Sequence, residues 1–329
     1  MKLCSRVSSI ALKGFALLKE LSRETITVAR DLFRILIPVV ITVKILAELG
    51  AIDFLSRLLS PVMSVLGLSG ELGIVWATAL FTNLYGGIAA LFTLYPEPHF
   101  TVHEMTVLCV IMLVAHSLPV ELALTHRVGG HFKYLGPIRL VGAFVYGYLV
   151  HVAFTHFSKT SLLANIQWPT HKAETTLVGW IIDQGYNLGF ILAVLFCLLT
   201  LMRILNGLGV TRALTHVLAP VLRLLNISQR ASMIALFGLL AGITFGSGLL
   251  LAEIKKNEVA KRDVFLVLAF LSICHGIIED TILMLLLGGD IWGILVGRFV
   301  FAFLVTLALS RLYRTKLSQI PIEEDLRCA

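Results

Sequence analysis

The sequence contains one pattern twice. A constant offset aligns the second copy with the first, pairing His116 with His275, and the alignment needs no gap. Apolar positions alone would coincide by chance in so hydrophobic a chain. The register also aligns residue types that chance would scatter: Pro61 with Pro220, Ser69 with Ser228, Gly87 with Gly246, Gly129-Gly130 with Gly288-Gly289, and Arg139 with Arg298. Self-similarity at a fixed interval indicates a duplication.

The composition places both copies in a membrane. Of the 329 residues, 57% are hydrophobic and 14% are charged, and the mean hydropathy is +0.90. These values predict an all-α polytopic membrane protein. In membrane proteins an internal repeat is typical of transporters, whose substrate site lies where the halves meet. Eight apolar stretches each approach the roughly 20 residues that cross a bilayer: 31–50, 71–94, 104–126, 134–157, 177–202, 229–252, 264–287 and 291–310.

Charged and polar segments divide the chain between these stretches. Residues 51–68 and 210–227 mix apolar and charged residues at helical spacing, which predicts two helices lying in the membrane interface. Positions 1–30 carry six basic side chains but lack the apolar run of a signal peptide. The predicted organisation is a basic amphipathic cytoplasmic arm (1–30), a first repeat (31–157), a polar linker (158–176), a second repeat (177–312) and a cytoplasmic tail (313–329).

The distribution of lysine and arginine favours one topology over another. If all eight stretches cross, 17 basic residues lie inside and ten outside; if 71–94 and 229–252 are re-entrant hairpins, 22 lie inside and five outside. Basic residues collect on the cytoplasmic side, which favours the second arrangement. It predicts about six spanning helices, two re-entrant hairpins and two interfacial helices, in the cell inner membrane with both termini cytoplasmic. Since each repeat then crosses three times, the two repeats are inverted.

Small and polar residues interrupt both predicted hairpins near their centres. Glycine and small polar side chains suit a tight reversal, and non-helical backbone at membrane depth must be buried in protein or line a wet cavity. We therefore treat these positions as candidate substrate- or ion-binding residues. The alternative is close helix packing through small residues, with hydroxyls bonding their own backbone. The candidates are Thr82, Asn83, Gly86 and Gly87 in the first copy, and Thr244, Gly246 and Ser247 in the second.

Each repeat next contains a span with ionisable residues at its middle. Pro119 and Gly276 predict that both spans break. An ionisable group at membrane depth costs a few kcal/mol and calls for a partner or a watery cavity. The structural alternative is that an acid simply caps the following half-helix. That alternative leaves Glu279, four residues after His275, unexplained. The candidate site residues are His116 and Glu121 in the first span, and His275, Glu279 and Asp280 in the second.

The order of elements and two short motifs together resemble a known family. Each copy reads as spanning helix, interfacial helix, Gly-rich hairpin, broken helix and spanning helix, and the motifs are Thr82-Asn83-Leu84-Tyr85-Gly86-Gly87 and Thr244-Phe245-Gly246-Ser247-Gly248. Over roughly residues 30–310 the chain resembles the nucleoside recognition (Gate) domain membrane proteins. That group includes the spore maturation membrane proteins A and B and the gate halves of ferrous-iron permeases. More distantly, the layout is similar to the concentrative nucleoside transporters.

The resemblance implies two Gate-like units whose hairpin tips and broken helices face a central polar site. It also implies a nucleoside-like solute. The Gly-x-x-x-x-Gly-Lys-Ser/Thr loop of a GTPase module is missing from the sequence, so we do not expect nucleotide-driven transport by this chain.

Two other functions stay open. A divalent metal ion such as iron would find nitrogen, oxygen and sulfur ligands in His116, His275, Glu279, Asp280 and Cys274. A non-transporting accessory or assembly protein would use the net charge of +7 to dock on anionic lipid or a partner. An enzyme is not expected, because neither a nucleophile elbow nor a zincin motif accompanies the loop histidines. The cysteines are odd in number and scattered, which indicates no disulfide framework.

The expected mechanism is that of a secondary carrier. A small polar solute binds near the midplane, and rocking of one repeat against the other alternates access. A proton carried by Glu121, Glu279 or Asp280 with a histidine, or a sodium ion held by hairpin carbonyls, would supply the driving force. The partners expected are the lipid bilayer, the solute and H+ or Na+. A homo-oligomer is left open, and neither a cofactor nor a nucleic-acid partner is expected.

Overall fold

A computed structural model describes residues 2–157, 162–169, 176–225, 227–242, 247–248, 250–252, 254 and 259–315. This part of the chain is built from helices, and the prediction of an all-α membrane protein is confirmed. The first half contains α1 (Lys2–Glu48), α2 (Ala51–Ser64), α3 (Gly70–Phe81), α4 (Leu84–Leu94), α5 (Val102–Val114), α6 (Leu118–His126) and α7 (Phe132–Phe157). The second contains α8 (Leu177–Gly207), α9 (Val210–Arg223), α10 (Gln229–Ala241), α11 (Lys261–Ile273), α12 (Glu279–Leu286), a π-helical turn (Trp292–Gly297) and α13 (Arg298–Thr315).

Four helical segments in the described residues are long and apolar enough to cross a bilayer, and a bent pair makes a fifth. The pair is Glu20–Glu48 with Ala51–Ser64, which meet at 97°. The four single segments are Val102–His126, Phe132–Phe157, Leu177–Gly207 and Trp292–Leu312. The predicted span 264–287 is divided between α11 and α12, each shorter than the roughly 20 residues a crossing needs. Six crossings and the inverted orientation therefore stay predictions.

The helix boundaries follow the same offset as the sequence. The first and last residues of α2 align with those of α9 at this offset. The first and last residues of α5 align in the same way with those of α11. Gly50 and Gly209, which the offset also relates, both adopt left-handed backbone with φ of 68° and 76°. Glycine enters this region without the steric cost of a Cβ, so the chain turns sharply from α1 into α2 and from α8 into α9. Equivalent sequence thus produces equivalent local structure.

Helices α3 and α4 form a helical hairpin. Only Thr82 and Asn83 separate them, and the Asn83 side chain caps α4 by accepting a hydrogen bond from the Gly86 amide at 2.9 Å. Gly87 lies beside Ala79 and the Val75 carbonyl, so α4 runs back along α3. Neither helix is long enough to cross a bilayer alone. This shape agrees with the predicted re-entrant segment 71–94, although its depth in lipid stays a prediction.

Gly87 makes the close approach of α3 and α4 possible, and we expect Gly87→Ala to destabilise the protein by about 1–3 kcal/mol. A Cβ there would lie 2.7 Å from both Ala79 Cβ and Met112 Cε, so backbone or side chains must move. The matched control is Gly185→Ala, where a Cβ meets nothing within 4 Å. Unfolding by SDS titration in mixed micelles measures both. Equal stability of the two variants would contradict the tight packing.

The segments outside the predicted repeats are also built into the fold. The arm and the first predicted span form a single helix, α1, because no break separates them. The described part of the linker packs on the helical body: the rings of Trp168 and Phe92 stack with centroids 5.2 Å apart, and the Gln167 amide donates to the Leu286 carbonyl at 2.8 Å. The linker thereby contacts both halves. Most of the predicted tail lies outside the described residues.

Candidate central polar site

The two broken spans are positioned by equivalent residues in left-handed conformation. Ser117 (φ 46°) lies between α5 and α6, and Gly276 (φ 57°) lies between α11 and α12. Among the described residues, Ser117 is the single non-glycine residue with positive φ. Its hydroxyl donates to the Thr82 carbonyl at 2.8 Å and its amide to the Ala79 carbonyl at 3.0 Å, which fixes the break against the α3–α4 hairpin. Both predicted breaks are present.

The breaks bring the paired histidines into contact, with their rings tilted by 48°. The ring centroids of His116 and His275 lie 5.2 Å apart, and both side chains are buried. His116 Nδ1 lies 2.9 Å from the Met112 carbonyl, and His275 Nδ1 lies 2.7 Å from the Leu271 carbonyl. A carbonyl only accepts, so Nδ1 carries the proton in both rings. Each Nε2 is left to face the space between the two halves.

Glu121 occupies that space. Its Oε1 lies 3.3 Å from His116 Nε2 and 3.5 Å from His275 Nε2. Its Oε2 accepts a hydrogen bond from Arg139 Nη1. One carboxylate from the first half therefore contacts a histidine from each half. We call His116, His275, Glu121 and Asp280 the central cluster.

Arg139 compensates the buried charge of Glu121 and holds the broken helix. Its side chain is fully buried, with Nε donating to the Val114 carbonyl at 3.0 Å and Nη2 donating to the His116 carbonyl at 2.8 Å. Val114 is the last residue of α5 and His116 lies in the break, so neither carbonyl has an intrahelical partner. The Arg139 guanidinium thus donates hydrogen bonds to the free carbonyls at the break and compensates the charge of Glu121.

The equivalent residues of the second half, Arg298 and Asp280, do not form a matching ion pair in the described structure. Arg298 is also fully buried, and its Nη2 donates to the His275 carbonyl at 3.2 Å, matching the bond from Arg139 to His116. Within the described structure, however, Arg298 Nε and Nη1 and Asp280 Oδ2 have no hydrogen-bond partner. The Asp280 carboxylate instead lies over Gly276, where a Cβ would collide with it. The two halves therefore differ at the point where their sequences correspond.

Asp280 joins the histidines, whereas Glu279 is not part of that group of ligand atoms. The ligand atoms of His116, His275 and Asp280 all lie within 4.8 Å of one another. Glu279 and Asp280 both interact electrostatically with the hydroxyl of Tyr85, which is buried without a hydrogen-bond partner among the described residues. Tyr85 lies at the start of α4, so the tip of the first hairpin faces the acids of the second broken span.

The hairpin candidates have structural contacts of their own. Thr82 donates to the Thr78 carbonyl at 2.6 Å, and Asn83 caps α4, as the structural alternative predicts. Gly86 and Gly87 allow close approach to Thr82 and Ala79. Ser247 is buried. Thr244 and Gly246 lie outside the described residues.

Sequence reasoning missed the two arginines and one further polar surface. Arg139 and Arg298 supported the repeat but were not proposed as site residues, although a basic residue inside an apolar span is a signal in itself. Trp180, Asp183, Gln184 and Asn187 recur at helical spacing along α8 and were also overlooked. Their spacing of three, four and seven positions places them on one helix face.

Fold and site together define a polytopic α-helical membrane protein with buried ionisable residues at broken helices. Comparison with known proteins agrees with this assignment to a membrane protein. Residues 29–137 match the family model described as Gate, nucleoside recognition, which confirms the resemblance to that family for this part of the chain. An uncharacterized membrane protein, YvoD of Bacillus subtilis strain 168, is 28% identical over 285 residues, covering 85% of this chain and 90% of YvoD. No solved structure matches significantly.

Proposed function

We propose that this protein is a secondary transporter of a small polar solute in the cell inner membrane, with both termini cytoplasmic. The observation that carries the proposal is the central cluster, in which two broken helices from different halves bring His116, His275, Glu121 and Asp280 together. Buried ionisable groups at broken helices are typical of transport sites. The resemblance to nucleoside recognition proteins makes a nucleoside-like solute the first candidate.

The geometry supports a coupling role for the cluster. Both histidines present Nε2 to Glu121, so a proton can be held between an imidazole and the carboxylate while Nδ1 stays bonded to its carbonyl. Because the histidines belong to different halves, movement of one half against the other changes the distance from Glu121 to His275. Binding of the coupling proton is thereby linked to the alternation of access between the two sides of the membrane. The chain acts without nucleotide hydrolysis and without a cofactor.

A divalent metal ion is the second candidate substrate. The observation that favours it is the donor set: two imidazole nitrogens, from His116 and His275, and the Asp280 carboxylate within 4.8 Å of one another. Metal-binding histidines usually donate the other ring N–H to a carbonyl or carboxylate, as both do here. Nitrogen and oxygen ligands suit iron, zinc or manganese. Cys274 is outside this group of donors.

Uptake into proteoliposomes tests both candidates. Purified protein is assayed with radiolabelled nucleosides and divalent metals under imposed H+ or Na+ gradients. We expect solute uptake that falls at least tenfold in His275→Ala and in Glu279→Gln. His99→Ala, on an exposed loop residue, serves as the matched control and keeps wild-type uptake. Metal uptake alone would replace the solute proposal with the metal candidate. If nothing moves, the transport proposal fails; if solute moves but the variants match wild type, the assignment of the site fails.

A further inference from the structure

A second polar pocket lies away from the central cluster, between the two halves. Its volume is about 200 Å³, and it is enclosed by α1, the end of α4, the linker and the first turns of α8. The predicted topology places this end of α1 and the linker on the non-cytoplasmic side of the membrane. The residues that matter for the argument are Lys44, Phe92, Trp180, Asp183, Gln184 and Asn187.

The polar face at the start of α8 has buried polar atoms whose hydrogen bonds are not satisfied within the described residues. Trp180, Asp183, Gln184 and Asn187 lie within two turns near the start of α8 and line the pocket. Polar groups at such positions are costly unless they serve a partner or a function. Trp180 Nε1 and Asn187 Oδ1 are buried and lack a hydrogen-bond partner in the described structure. One is a donor and the other an acceptor, so both await a ligand with the complementary groups.

The pocket also presents one charge of each sign. Lys44 Nζ lies 5.7 Å from the ring centroid of Trp180 and 3.2 Å from Glu48 Oε1, so its ammonium group is held at the pocket. Asp183 lines the same pocket one helical turn from Trp180. A carboxylate group of a ligand fits the ammonium side, and an ammonium group of a ligand fits Asp183. Phe92 and Trp180 supply flat apolar walls that favour a cation or an aliphatic stem.

The volume limits the size of the ligand. Pockets that hold drug-sized molecules measure about 300–1,000 Å³, so this one accommodates a smaller solute. We propose that the pocket binds a small zwitterion of amino-acid size, with its carboxylate toward Lys44 and its ammonium group toward Asp183. The Trp180 N–H and the Asn187 carbonyl oxygen complete the contacts. This binding site goes beyond the proposed transport function and does not depend on the central cluster.

Equilibrium binding to the purified full-length protein in detergent tests the proposal. The probes are the twenty protein amino acids and glycine betaine as zwitterions, with ribose and adenosine as neutral solutes. We expect saturable binding of at least one zwitterion and none of the neutral solutes. Asp183→Asn and Lys44→Met should each weaken binding at least tenfold. Asp53→Asn, which removes a carboxylate from an exposed position, is the matched control and leaves affinity unchanged.

The outcomes separate this pocket from the central cluster. His275→Ala is expected to bind the zwitterion normally even where it has lost uptake, so transport can fail while the pocket still binds. Binding of ribose or adenosine alone, or of no probe, would overturn the proposal. Wild-type affinity in both Asp183→Asn and Lys44→Met would also overturn it, because binding would then occur elsewhere. Size-exclusion profiles establish that each variant is folded. If Asp183→Asn does not fold, the binding affinity of Lys44→Met alone tests the proposal.

Discussion

Arg139→Met is expected to lower the free energy of unfolding by about 3–5 kcal/mol, because it leaves the Glu121 carboxylate buried without a compensating charge. The same change removes the donors to the Val114 and His116 carbonyls, at 3.0 and 2.8 Å. Methionine retains most of the volume and apolar contact of the arginine stem, so loss of packing contributes little. Unfolding by SDS titration in mixed micelles, followed by circular dichroism, measures the difference from wild type.

The duplication supplies a matched control for this experiment. Arg298→Met alters the corresponding residue of the second half, which is equally buried but makes only one described hydrogen bond to an oxygen, the His275 carbonyl at 3.2 Å. Since Arg298 carries two nitrogens without a hydrogen-bond partner in the described residues, its replacement relieves a cost as well as removing a bond. We expect a loss smaller by at least about 2 kcal/mol than in Arg139→Met. Equal losses would show that the Glu121 pair does not carry the difference.

The central cluster was accessible to sequence reasoning where the signal was local or repeated. Pro119 and Gly276 lie next to the observed breaks, because a proline and a glycine act on the backbone at their own positions. The constant offset between the two copies paired His116 with His275. In a duplicated fold equivalent residues commonly approach each other at the contact between halves, and these two rings do.

The distances between side chains on different helices could not be predicted from the sequence. Arg139 lies 18 residues from Glu121, on a different helix, so no spacing rule connects them. The duplication also implies that Glu121 and Asp280 behave alike, whereas the structure pairs Glu121 with arginine and turns Asp280 toward Gly276. Aspartate is also shorter than glutamate by one methylene, so the two aligned acids differ in reach. Alignment alone could not predict that these two acids make different contacts.

The same logic left the α8 pocket unnoticed. Trp180, Asp183 and Asn187 are ordinary residues for the end of a membrane helix, where aromatic and polar side chains meet the interface. Their meaning comes from Lys44 and Phe92, which belong to the first half of the chain and close the pocket around them. A helical face can be read from spacing alone. The groups that it meets depend on tertiary packing.

Glu121→Gln is expected to reduce gradient-driven uptake about 10- to 100-fold, measured on the fraction of the variant that size-exclusion chromatography shows to be folded. Glutamine keeps the shape of glutamate but removes the negative charge that lies 3.3 Å from His116 Nε2 and 3.5 Å from His275 Nε2. A hydrogen bond to a charged group contributes about 1.5–3 kcal/mol, and about 1.4 kcal/mol corresponds to tenfold in an equilibrium constant. The amide cannot hold the coupling cation between the two halves, so an imposed gradient no longer drives accumulation.

Proteoliposome uptake under an imposed gradient, compared with solute binding to the same preparation, separates coupling from recognition. We expect Glu121→Gln to bind solute within a few-fold of wild type while accumulation is lost. Glu97→Gln, an acid of equal charge on an exposed loop, is the matched control and accumulates solute normally. Undiminished accumulation by Glu121→Gln would exclude the carboxylate from coupling and leave it a structural partner of Arg139. Parallel loss of binding would place Glu121 in solute recognition, because the histidines would then need its charge to form the site at all.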